Sequence, residues 1–141
     1  MAPPSQTPVG GPNAGDGETG TNTKTAVKPT GTVHHVRMVS DERGFRFEPA
    51  LTTVKPGDAV IWENSSGGPH NVKFMAVADG SAANQLSANM PGQKMEPLAG
   101  PLLIEPKATY TVSFGGMPKG HYTYQCTPHA AMNMKGEIVV K

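Results

Sequence analysis

Between Thr109 and Cys126 the chain alternates apolar and polar side chains in two short runs, and this period of two restricts its fold more than any other feature. Tyr110, Val112 and Phe114 alternate with Thr and Ser; beyond Gly115-Gly116-Met117-Pro118-Lys119-Gly120, Tyr122, Tyr124 and Cys126 alternate with His121, Thr123 and Gln125. Successive side chains of a strand point to opposite faces, so each run is a strand with one buried face. A helix would scatter the same aromatic residues around its circumference. Cys126, the only cysteine, therefore ends a strand with its thiol turned toward the core. A hairpin-like connection is expected through residues 115–120.

The rest of the chain reads the same way from Thr32 onward. Strands are predicted at Val33–Val39, Gly44–Pro49, Leu51–Val54, Asp58–Asn64 and His70–Met75, and a terminal strand at Lys135–Lys141 in which Ile138 and Val140 share a face. Turn residues separate them, notably Lys55-Pro56-Gly57-Asp58 and Ser65-Ser66-Gly67-Gly68-Pro69. Gly and Pro supply 17 and 14 of the 141 residues, a share that disfavours long helices and suits many short strands. About eight strands result, enough for two packed antiparallel sheets. Residues 76–107 are the least regular, with one helical turn expected near Ala82–Ala88.

Residues 1–31 hold no Leu, Ile or aromatic side chain and cannot bury enough apolar surface to offset the entropy of ordering. They are expected to form a flexible tail, and residues 32–141 a single domain. Charges within the tail cancel, Asp16 and Glu18 against Lys24 and Lys28, so it reads as a neutral tether. No signal peptide begins at Met1; a removed secretion signal or lipid anchor is the expected history. Across the chain, 12 basic side chains balance 11 acidic ones, which leaves no field to hold nucleic acid. No apolar run approaches the roughly 20 residues of a membrane-spanning helix.

The chemistry gathers at the end of the penultimate strand. Cys126-Thr127-Pro128-His129, with Met134 just before the last strand, offers a thiolate, an imidazole and a thioether from one loop. His70, after the Gly67-Gly68-Pro69 turn, supplies a second imidazole once the strands align. Two imidazoles, a thiolate and a weak axial thioether suit copper, because soft sulfur favours Cu(I) while imidazole tolerates Cu(II). Structural zinc requires four strong ligands, and only three are present. A cysteine nucleophile requires an exposed, oriented thiolate, whereas this thiol is expected to face inward. His34 and His35, adjacent in a strand, cannot chelate one ion together, and His121 falls on the outward face with solvent as its partner. Met38, Met75, Met90, Met95 and Met117 read as packing residues. Asn71, beside His70, is expected to support the neighbouring loop by hydrogen bonds.

Gly68-Pro69-His70-Asn71-Val72 and Gly120-His121-Tyr122-Thr123-Tyr124-Gln125-Cys126-Thr127-Pro128-His129, followed by Met134 and Gly136, resemble the ligand segments of the plastocyanin-like cupredoxins. The resemblance covers residues 32–141 and extends to the ligand loops of pseudoazurins and amicyanins. It implies an all-β, eight-stranded Greek-key β-sandwich holding one copper ion, with the ligand roles on His70, Cys126, His129 and Met134. Met132 competes with Met134 for the axial place, at the spacing seen in amicyanins; Met134 is preferred because it lies in phase with Ile138 and Val140. Gln125 stands where plant plastocyanins carry a tyrosine used in docking, so that route is not expected. The function implied is that of a one-electron carrier, with no bond-making step, working in the periplasm or another extracytoplasmic compartment. Its partners would be redox proteins docking transiently on the uncharged patch of Pro128, Ala130, Ala131 and Met132 around His129, and the carrier itself a monomer. The alternative is a copper-handling protein or a detached cupredoxin domain of a larger copper oxidoreductase.

Overall fold

The computed structural model describes residues 25–75, 77–92 and 96–141. Among them, eight strands form two four-stranded sheets. The strands are β1 (Val33–Asp41), β2 (Gly44–Glu48), β3 (Leu51–Val54), β4 (Ala59–Asn64), β5 (Lys73–Phe74), β6 (Thr109–Ser113), β7 (Gly120–Gln125) and β8 (Lys135–Val140). One sheet has the order β2-β1-β4-β6 and the other β3-β8-β7-β5. Their inner faces bury Trp62, Phe47, Phe74, Phe114, Tyr124 and Ile138, while the outward residues of β7, His121 and Thr123, stay exposed. Tyr124 sits at the centre of this core, with Phe47 and Trp62 meeting its ring edge-on at centroid distances of 4.6 and 5.3 Å. Such contacts add about 0.5–1.5 kcal/mol each beyond area burial.

The Greek-key sandwich implied by the resemblance is present, but pairing is not wholly antiparallel as expected. β1 runs parallel to β4 and β3 parallel to β8, because the chain changes sheet between β2 and β3, between β3 and β4, and again around β5. The expected hairpin at residues 115–120 is likewise a crossing. β6 pairs with β4 in one sheet and β7 with β8 and β5 in the other, so the turn carries the chain from layer to layer. Alternation identifies a strand's buried face; it does not say which partner lies beside it.

Two segments are more ordered than composition suggested. The single helical turn is a ten-residue helix, α1 (Gly80–Asn89), capped by Asp79, whose carboxylate accepts from the main-chain N–H groups of Ser81 and Ala82 at 2.9 and 3.3 Å. Ala82 and Leu86 bury its apolar stripe. Its buried amides tie down residues 25–31, which were assigned to the tail: Gln85 donates to the Thr25 carbonyl and Asn89 accepts from the Val27 N–H. Asn89 also donates to the carbonyls of Ser113 and Gly115, and the N–H groups of Thr30 and Gly31 both reach the Gly57 carbonyl. The remainder of the predicted tail, residues 1–24, lies outside the described residues.

Candidate metal centre

β7 delivers Cys126 to the end of the sandwich, and the chain returns to β8 through a short loop closed at its base. The Cys126 N–H donates to the Met134 carbonyl at 3.1 Å, continuing the β7–β8 pairing one step past both strands. Inside the loop the N–H groups of His129 and Met132 donate to the carbonyls of Cys126 and His129 at 3.2 and 2.9 Å, winding residues 130–132 into a 3-10 turn. Asn133 completes the reversal in the left-handed region, at φ 63°. A two-way main-chain bridge to Leu103, at 3.1 and 2.7 Å, holds His70, which lies outside the short β5 rather than within a strand over residues 70–75.

These constraints bring three donors together. The ligating atoms of His70, Cys126 and His129 all lie within 4.8 Å of one another. The Cys126 Sγ is 3.7 Å from His70 Nδ1 and 3.4 Å from His129 Nδ1. A first-row ion bonded at about 2.0 Å to nitrogen and about 2.3 Å to sulfur, with angles between tetrahedral and trigonal, sets a nitrogen and a sulfur about 3.5–3.7 Å apart. The two sulfur–nitrogen distances fit one such ion. His70, Cys126 and Met134 are fully buried, His129 is half-buried, and Met132 is 55% exposed.

The surroundings set the donors' protonation. The His70 Nε2 lies 2.7 Å from the Ser66 carbonyl and donates to it, which leaves the Nδ1 lone pair facing the sulfur. Burial pushes the His70 pKa down against the opposing pull of that hydrogen bond, and burial followed by the nearby His70 pushes His129 down. Both shifts favour the neutral imidazole, the form in which histidine binds a metal. Burial raises the Cys126 thiol above its ordinary value, and the main-chain N–H groups of Asn71 and His129 partly offset this by stabilising the thiolate.

Asn71 does what its position suggested. Its Oδ1 accepts from the Thr127 N–H at 2.7 Å, and its Nδ2 donates to the Thr127 hydroxyl and the Gly100 carbonyl, stitching the His70 segment to the cysteine loop. Two neighbours were not foreseen: Ser66, through its carbonyl, and Phe45, whose ring stacks on His129 at 3.9 Å with planes 16° apart. Phe45 could be read as a strand residue, but its meeting with a loop more than eighty positions away could not. The other histidines stay away from the cluster. His34 pairs with Asp58 at 2.9 Å and His35 is exposed. His121 was expected to face only solvent; its Nδ1 instead pairs with Glu137 at 2.6 Å, across neighbouring strands. Met38, Met90 and Met117 are buried, Met75 is exposed, and Met95 lies outside the described residues.

Known proteins are similar to this chain in sequence and architecture. The family profile described as "Copper binding proteins, plastocyanin/azurin family" matches residues 34–141. A plastocyanin from Synechococcus is 38% identical over 105 residues, covering 74% of this chain and 71% of its own. The oxidised form of plastocyanin from Dryopteris crassirhizoma superposes with a TM-score of 0.59 at 35% identity, over 76% of this chain and 99% of its own. A pseudoazurin from Sinorhizobium gives a TM-score of 0.51 at 28% identity, over 78% and 74%. Sequence and architecture agree with the buried donor cluster, and the chain belongs to the plastocyanin/azurin family of copper-binding proteins.

Proposed function

We propose that this chain is a one-electron carrier in which His70, Cys126, His129 and Met134 hold one copper ion. When bound, copper supplies a centre that gains and loses a single electron without bond making. The observation that carries the reading is that hydrogen bonds of the fold already gather His70, Cys126 and His129 within 4.8 Å of one another, while His70, Cys126 and Met134 are sealed from water. Such a cage resists rearrangement when the charge of the ion changes. Burial of Met134 and exposure of Met132 support the former as the axial thioether.

His129 alone of the four reaches the surface, so its ring edge is the exit for the electron. Around it lie the exposed Pro128 and Ala131 and the stacked Phe45, an uncharged surface suited to brief contact with a redox protein. No described helix is long and apolar enough to cross a membrane. The carrier acts as a monomer outside the cytoplasm, and residues 32–141, with residues 25–31 hydrogen-bonded to them, are its working domain. Adding Cu(II) to the apoprotein is expected to produce an intense blue colour that Cys126→Ser abolishes, with reversible voltammetry in the wild type. A colourless wild type would overturn the reading, and blue protein with slow self-exchange and ready copper release would favour copper handling instead.

A further inference from the structure

His70, Cys126 and Met134 have no exposed surface, so an incoming ion cannot meet them first. His129 is half-buried, and Phe45 covers one face of its ring. The loop that carries His129 is therefore where copper must arrive. Within one 3-10 turn of His129, tied to its carbonyl through the Met132 N–H at 2.9 Å, stands a thioether that is 55% exposed. Ala130 and Ala131 between them bring no side-chain donor. Thioether sulfur selects Cu(I) and binds Cu(II) poorly.

Building on the copper-carrier reading, we propose that Met132 is a transient ligand for copper uptake, capturing Cu(I) at the surface and passing it through His129 to the buried donors. The transfer is an exchange of ligands. Copper remains Cu(I) throughout, the bond to Met132 breaks as bonds to the interior donors form, and the Cys126 thiol releases its proton to solvent. Met132 is not a resident ligand, because its exposure is incompatible with the sealed cage.

The test compares apoprotein of the full chain with Met132→Leu, which keeps the size and apolarity of the side chain and removes only the sulfur. Cu(I) is supplied as its bicinchoninate complex and followed by the loss of that complex's absorbance; Cu(II) is supplied as a simple salt and followed by the growth of blue colour. Uptake of Cu(I) is expected to slow about tenfold in the variant, the lower end of what losing one partner of a metal site costs. Uptake of Cu(II) should be unchanged, and both proteins should give the same blue spectrum after the Cu(I) form is oxidised with ferricyanide. Equal Cu(I) rates, or equal slowing for both ions, would overturn the role of Met132 while leaving the carrier intact. A wild type that forms no blue site with either ion would overturn the copper reading and this inference with it.

Discussion

Asn71 and Phe45 show how little of a metal centre resides in its ligands. Asn71 is buried and uses both ends of its amide to join two segments separated by more than fifty positions. Asn71→Ala should lower the apoprotein's stability in urea by about 1–3 kcal/mol, because the part-buried Thr127 N–H and the buried Gly100 carbonyl lose their partner. Retention of full stability would show that water replaces the amide without cost. Asn71 was legible because it adjoins His70, whereas Phe45 lies on another strand and only the folded chain stacks it on His129.

Among the elements, β8 lies hard against its neighbour. Gly136 is paired with Tyr124 of β7, and a Cβ at position 136 would run into the tyrosine ring. That ring is wedged between Phe47, Trp62 and Phe74 and cannot withdraw. Gly136→Ala should therefore destabilise the fold by about 1–3 kcal/mol, the usual cost of overpacking a filled core, read as a lower midpoint in urea with an unchanged m-value. An unaltered midpoint would show that the ring has room to shift. The strands themselves were largely legible, since β3 matches its predicted span and β1, β4, β6, β7 and β8 differ from theirs only at their ends. α1 was underestimated because half of its buried face is polar, and Gln85 and Asn89 find their partners only in distant segments.

Over the whole molecule, the donor cluster and the anchorage of the N-terminal segment occupy opposite ends of β4. Asn64, at one end, donates to the carbonyl of Leu103, which bridges His70. Asp58, just before the other end, accepts from the main-chain N–H groups of Lys55 and Thr32 and from His34. A six-residue strand spans about 20 Å, so the two ends should respond independently. Hydrogen bonds from the Lys55 N–H and His34, in that order, hold the Asp58 carboxyl below its ordinary 3.8. A carboxyl whose folded pKa is depressed contributes stability that is complete above the unfolded value and is lost as pH falls from there through the folded value. Wild-type stability should accordingly decline as the pH drops below 3.8. Asp58→Asn should be less stable at neutral pH and show a shallower acid decline, with an unchanged blue spectrum when loaded with copper. An acid profile as steep as that of the wild type would remove Asp58 from the account.

By itself the sequence determined the class of fold and offered a set of candidate donors. Period-two alternation assigns a buried face to each strand wherever it occurs, and thiolate, imidazole and thioether are properties of residue types, readable at Cys126, His70, His129 and Met134 without coordinates. Tertiary structure alone decided which strands pair and how residues 25–31 are held, and it leaves Met132 at the surface with Met134 inside, the side that the phase of Met134 with Ile138 and Val140 favoured. These outcomes depend on contacts between segments far apart in the chain. Local pattern limits what each segment can be, but the partner that satisfies it is chosen only when the whole core closes.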